Sequence, residues 1–251
     1  MAREARKYAE SGIYHVMLRG INQQMIFEDD QDRYQFLQIL QACREQSNFQ
    51  LYAYCLMGNH VHLLLRICEE SLETVFKRIG ARYVYWYNVK YRRVGHLFQD
   101  RFKSEPVEHD SYFITVLRYI HLNPVKAKLC KHPKDYRWSS YVDYVGDSQQ
   151  IDREFALGIL GLEEFKRYHE QTNDDKCLDV SQSPRRGITD DQAKDLLKRY
   201  GHSNCVSEFQ TLEEKQKMKT IQIVYAKGAS IRQLSRLTGT SKGVVERWLK
   251  K

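Results

Sequence analysis

Leu51-Tyr52-Ala53-Tyr54-Cys55-Leu56-Met57-Gly58-Asn59-His60-Val61-His62-Leu63-Leu64-Leu65-Arg66-Ile67 decides the fold. It reads as two apolar strands joined by a Gly-Asn turn, the pattern of a β-hairpin. Side chains alternate along a strand, so His60 and His62 point to one face. Val61, Leu63, Leu65 and Ile67 point to the other, toward a core. Two imidazoles side by side on one strand can share a metal ion, here at the open face of a sheet. A bare His-x-His is more often a pair of half-buried strand residues, so the surrounding chain has to carry the metal reading.

Upstream, Ile13 to Arg19 reads as a first strand, followed by a polar loop at Gly20-Ile21-Asn22-Gln23-Gln24. Asp30 to Ser47 has Tyr34, Leu37, Ile39, Leu40 and Cys43 at helical spacing, with acidic residues at its start. Downstream, Ser71 can cap a helix from about Leu72 to Tyr91. Arg101 to Val107 reads as a fourth strand. Asp110 can cap a helix that should end near Pro124, because proline disfavours helix in the residue before it. Strand, helix, strand, strand, helix, strand, helix predicts an α/β (α+β) fold: a ferredoxin-like antiparallel-sheet sandwich with the hairpin in its sheet.

The helix after the hairpin is chemically distinctive. From Thr74 to Gln99 there is no acidic residue, while Lys77, Arg78, Arg82, Lys90, Arg92 and Arg93 interleave with Tyr83, Tyr85, Trp86, Tyr87 and Tyr91. Cations neutralise phosphates and aromatic faces stack on unpaired bases, so this run predicts nucleic-acid contact. The plainer alternative is buried aromatics beneath a solvated basic face. On the next helix, Phe113, Val116, Leu117 and Ile120 form a core stripe. Tyr119 and Asn123 lie one turn apart on its flank and are neighbours.

The 251-residue chain carries 40 Lys plus Arg against 32 Asp plus Glu, a net charge of +8. That balance favours a polyanionic partner. There is no run of 18 apolar residues and no apolar stretch behind the N-terminus, so neither a membrane span nor a signal peptide is expected. The six cysteines are scattered without a Cys-x-x-Cys pair, which predicts free thiols in a reducing cytoplasm. A polar segment near Gly146 to Asp152 suggests a boundary, giving domains at 1–146 and 147–251. Basic residues outnumber acidic ones 21 to 16 before Asp147 and 19 to 16 from there on, so both parts can meet one polyanion. A polar linker is expected at 174–186. In the last segment, Ser230-Ile231-Arg232-Gln233 is a capping box, Gly239 a turn, and Ser241 to Lys250 a basic helix. That predicts an all-α C-terminal region ending in a helix-turn-helix, its phosphate-facing cations being Lys242, Arg247, Lys250 and Lys251.

With these pieces placed, the chain resembles the REP-associated tyrosine transposases of the single-tyrosine HUH endonuclease superfamily, HUH being the His60-Val61-His62 pattern. The resemblance is carried by Tyr14-His15-Val16 with Leu18-Arg19-Gly20, and by Met57-Gly58-Asn59-His60-Val61-His62-Leu63. It continues through Gly95-His96-Leu97-Phe98-Gln99, Arg101-Phe102-Lys103, Tyr119-Ile120-His121-Leu122-Asn123-Pro124-Val125, and Tyr136-Arg137-Trp138-Ser139-Ser140-Tyr141. It covers most of residues 13 to 145. The family implies a nuclease domain acting on single-stranded or hairpin DNA. By motif match, His60 and His62 would hold Mg²⁺ or Mn²⁺, Asn123 would fall at the third ligand position, and Tyr119 would be the nucleophile. Lys103, within the matched stretch, joins Lys77, Arg78, Arg82, Arg92 and Arg93 as expected DNA contacts.

The reading that follows is a metal-dependent endonuclease and strand transferase, or transposase, forming a 5′-phosphotyrosine link. It would work as a monomer or homodimer, in the cytoplasm at the nucleoid. Arg118 should point away from the site, and His121 and His96 are candidate bases. A protein that binds structured nucleic acid and cuts nothing is the rival reading. A hydrolase of small substrates fits less well, since two histidines and one amide make a poor protein-only hydrolase site.

Overall fold

The computed structural model describes residues 6–99, 101–146, 150–171, 175, 177–178, 188–203 and 206–249. Most of the expected linker at 174–186 lies outside them, as do Lys250 and Lys251. Packing divides the chain into two units, Met1–Val180 and Ser181–Lys251.

The first unit is built on β1 (Ile13–Arg19), α1 (Asp30–Ser47), β2 (Gln50–Leu56), β3 (His60–Arg66), α2 (Leu72–Lys90), β4 (Lys103–Pro106) and α3 (Asp110–Lys126). The four strands form one sheet in the order β2-β3-β1-β4, every neighbouring pair antiparallel. That order is the ferredoxin-like one expected from the sequence. β1 and β2 both run against β3, so they are parallel to each other and α1 is a crossover; α2 is likewise a crossover from β3 to β4. Right-handed crossovers put both helices on one face, where they pack together. α3 contacts β2 and β3 and takes the other face. Tyr52 is an extra residue in β2, at a bulge between Leu51 and Ala53. Residues Trp138 to Ser140 run along β2, with Leu56 N donating to Trp138 O and Ser140 N to Tyr54 O, which covers that edge.

Two helix expectations need correction. Asp110 is the first helical residue and His109 the N-cap, without a side-chain cap bond. α3 also runs through Pro124 to Lys126. Proline removes only its own N–H. The Asn123 and Pro124 carbonyls still accept from Ala127 and Leu129, so one more turn closes beyond it.

The boundary also moves. α4 (Tyr141–Val145), α5 (Arg153–Leu160) and α6 (Leu162–Glu170) belong to the first unit, so the division falls after Val180 rather than near Gly146. Ile151, Ala156 and Phe165 are buried in the sheet's own core. The Asp152 carboxylate accepts from Leu51 N and Arg44 Nη2, both at 2.7 Å. Residues 150–152 look like a linker because they are polar, but Asp152 serves β2 and α1. A chain ending at Gly146 is therefore expected to be insoluble or molten, whereas one ending at Val180 should fold. Amide dispersion in the two truncations checks this; a well-folded 1–146 fragment would contradict it.

Around α6, Tyr141 and Tyr144 stack on Phe165, and His121 and His169 share a hydrogen bond of 2.9 Å. Burial lowers the His169 pKa to about 4, with the Arg118 charge adding to it against the Phe165 carbonyl bond. The unfolded chain takes up this proton near the ordinary histidine value, so the stabilising contribution is complete above it and fades as pH falls toward 4. The loss should reach about 3 kcal/mol. Urea unfolding at pH 7 and pH 5 should show this destabilisation in wild type and a flatter profile in His169→Gln.

In the second unit every described element is helical: α7 (Asp190–Gly201), α8 (Val206–Thr211), α9 (Glu214–Ala226), α10 (Ile231–Thr238) and α11 (Lys242–Leu249). Leu197, Phe209, Ile221, Val224, Leu234, Val245 and Trp248 make its core. Ser230 and Gln233 form the expected capping box, and Gly239 ends α10 at φ +67°. Among the described residues no helix is long and apolar enough to cross a membrane.

Candidate active site

Three neighbouring strands and α3 build the site. In the β1–β3 register His15 lies opposite Leu64 and Met17 opposite His62, and in the β1–β4 register His15 lies opposite Glu105. Paired residues share a face, so Glu105, His15 and His62 form a diagonal row across three strands. Their side chains touch. Glu105 Oε1 is 2.9 Å from His15 Nδ1, and His15 Nε2 is 2.9 Å from His62 Nδ1.

α3 brings Tyr119 onto the same face. Its ring centroid is 5.8 Å from that of His62 and 5.9 Å from that of His15. The expectation of an open sheet face is corrected here: α3 covers it, leaving His62 0% and Tyr119 3% exposed. His60 is half-exposed at the hairpin turn, its ring 5.1 Å from the His62 ring, so the site opens at that end of the sheet. Burial is the main cause that holds the His62 pKa well below its ordinary value. It is a neutral imidazole, the form that ligates metals.

The hydrogen bonds orient the candidate ligands. Asn59 Nδ2 donates to the Gln23 carbonyl, so Asn59 Oδ1 faces His60 and accepts from its Nδ1 at 2.7 Å. The His60 lone pair is then on Nε2. His62 Nε2 is buried and has no hydrogen-bond partner among the described residues. Asn123 Nδ2 donates to the Tyr119 carbonyl at 3.0 Å, which leaves Oδ1 as the amide atom with ligand chemistry. Two imidazole Nε2 atoms and an amide oxygen suit a divalent cation that keeps water or phosphate oxygens as its other ligands. Among the described residues there is no group of three or more His, Cys, Asp or Glu able to hold a metal by itself.

Arg118 points away, as expected, in a two-pronged ion pair with Asp175. His121 is no base for this site. It is fully buried, with Nδ1 on His169 and Nε2 on Ser140 Oγ. His96 is exposed. The basic helix splits in two. Arg78 is committed to Glu70 and Ser47, and those bonds hold the Glu70 carboxyl down to about 2. Arg82 bonds Gln46, and Arg93 bonds Gln24. Tyr83, Tyr87 and Tyr91 turn inward, their hydroxyls on Ile26 O, Met25 O and Asp32. Lys77, Arg92 and Lys103 are exposed, as are Tyr85, Lys242 and Arg247. Sequence reasoning missed Glu105 as a site residue and saw His15 only as part of a motif. Their signal is a strand register, which no short pattern contains.

Residues 8–123 match the family described as "Transposase IS200 like". A Haemophilus influenzae protein provisionally named a REP-associated tyrosine transposase is 31% identical over 113 residues, covering 40% of this chain and 63% of that protein. The chain thus spans under two thirds of that curated relative's length. A solved structure of a REP-associated tyrosine transposase bound to a REP hairpin superposes with a TM-score of 0.51 at 19% identity, over 58% of this chain and 86% of that one. At that identity it bears on the fold alone.

Proposed function

We propose that the protein, whose residues 8–123 match the family described as "Transposase IS200 like", cuts and rejoins single-stranded DNA at hairpin-forming repeats. The observation that carries this is the placement of Tyr119 beside His62 within one chain, at 5.8 Å between ring centroids. The relative that resembles this fold was solved on a REP hairpin, which is the substrate class we infer here.

In the proposed reaction the Tyr119 phenol oxygen attacks the scissile phosphorus. The Tyr–O–P bond forms and the P–O3′ bond breaks. The phenol gives up its proton, and the departing 3′ oxygen gains one to become a hydroxyl. The strand downstream of the cut stays on Tyr119 through its 5′-phosphate, and the ester keeps the phosphodiester's energy, so rejoining needs no nucleotide. His60, His62 and Asn123 would hold Mg²⁺ or Mn²⁺, whose chemistry is to polarise the phosphate oxygens. Lys126 Nζ lies 4.8 Å from the Tyr119 ring centroid and sets positive charge beside the forming ester. α3 keeps bulk water from the ester, and the strand would enter from the His60 end. We infer that the proposed nucleophile and histidines of one chain act together, whether the protein works as a monomer or a homodimer.

We assign Lys77, Arg92 and Lys103 to phosphate contacts, and α10 with α11 to recognition of the hairpin through Lys242 and Arg247. Replacing Lys77 and Arg92 with glutamine should weaken single-strand binding and reduce the salt-dependence slope by about 0.7 per lost contact. Arg78→Gln should leave the slope unchanged, because that guanidinium is spent on Glu70. Fluorescence anisotropy across a salt series checks both.

The test of the function is incubation of end-labelled hairpin and bare single-stranded oligonucleotides with Mg²⁺ or Mn²⁺, resolved on a denaturing gel. A covalent protein–DNA band with a released 3′-hydroxyl fragment is expected. Tight, metal-independent binding with no cut in any substrate would make the chain a binding protein instead.

A further inference from the structure

We propose that Glu105 and His15 are positioning residues that fix His62 as its Nδ1–H tautomer and so turn the Nε2 lone pair into the active site. The consequence for metal binding rests on the reading of His62 as a ligand given above; the tautomer itself does not.

The argument is one of donors and acceptors. Glu105 Oε1 meets three donors: His15 Nδ1 at 2.9 Å, the Tyr112 hydroxyl at 2.9 Å and Leu178 N at 3.0 Å. Three donors on one oxygen favour the ionised carboxylate. Burial pushes the Glu105 pKa upward, but the bonds from His15, Leu178 and Tyr112 outweigh it and leave the carboxyl below its ordinary value. A carboxylate only accepts, so His15 Nδ1 carries a hydrogen. Neutral His15 then has a lone pair on Nε2 and accepts across the 2.9 Å contact to His62 Nδ1. His62 Nδ1 must be the N–H, which leaves Nε2 bare.

The alternative is an imidazolium at His15, donating from both nitrogens. It would reverse the second bond and put the His62 hydrogen on Nε2. That atom is buried with no acceptor among the described residues. An unsatisfied buried N–H carries its full desolvation penalty, and a fully buried imidazolium adds its own. The lone-pair form needs only a cation to be satisfied. Asn59 does for His60 what His15 does for His62, so the two histidines present matching Nε2 atoms. Partners of this kind are worth tenfold to a hundredfold in metal affinity.

The experiment is nitrogen-15 long-range correlation of the histidine side chains in the metal-free full chain at neutral pH, with Mn²⁺ calorimetry alongside. In wild type, His62 should show a protonated Nδ1 and a bare Nε2, a result that needs no variant to fold. His15→Leu should shift His62 toward the Nε2–H form and weaken Mn²⁺ binding tenfold to a hundredfold. His15→Gln, whose amide oxygen can accept in place of Nε2, should restore both. His62 found as Nε2–H in wild type overturns the proposal, and so does a tautomer unchanged in His15→Leu. If the tautomer responds as expected but no form binds Mn²⁺, the positioning relation stands and the metal reading falls.

Discussion

His60→Ala combined with His62→Ala should lower Mn²⁺ affinity by more than about a hundredfold, judged against the smaller losses that follow from their partners alone. Calorimetry measures it, and equal binding by both proteins would remove the site. The same variant should lose covalent adduct formation. Its fold should survive, because Val61, Leu63 and Leu65, each 0% exposed, hold β3 from the opposite face. The cost is a void beneath α3 where the His62 ring sat, worth about 2 kcal/mol. Near-ultraviolet circular dichroism separates a lost ligand from a lost fold.

Tyr119→Phe has the larger expected effect on chemistry. The substitution removes one oxygen from a ring packed against His15 and His62, so the packing stays. Without the phenol oxygen there is no atom to form the ester to phosphorus, and cleavage should fall by about a thousandfold or more, about 4 kcal/mol of barrier. DNA affinity should change little, since the phosphate contacts lie elsewhere. Anisotropy and a denaturing gel on the same samples give both readouts. Lost binding would recast Tyr119 as a structural residue, and an undiminished adduct would place the nucleophile at another tyrosine.

What could be read in the sequence follows physical range. The hairpin was legible because alternation and a Gly-Asn turn are local signals, and β2 and β3 begin and end within a residue of where those signals place them. Tyr119 and Asn123 were legible as neighbours because a helix puts residues four apart together. Glu105 was invisible. It meets His15 across 90 residues of sequence, through the β1–β4 register. The basic-aromatic helix was legible as composition but not as orientation. Tyr83 and Tyr91 are the same residue type as the exposed Tyr85, yet only the packing of α1 on α2 decides that their hydroxyls serve Ile26 O and Asp32. The boundary was misplaced because Asp152 is polar. A carboxylate that serves as a structural acceptor is indistinguishable in sequence from one in a linker.

The most direct test of the account is the mass of one peptide. After incubation with a single-stranded hairpin substrate and Mn²⁺, followed by nuclease and trypsin, cleavage after Arg118 and Lys126 releases residues 119–126. The account predicts that this peptide carries a nucleotide 5′-phosphate esterified to Tyr119, and that the modification is absent when either the metal or the Tyr119 hydroxyl is removed. A nucleotide found on a different tyrosine, or cleavage with no covalent peptide at all, would contradict it.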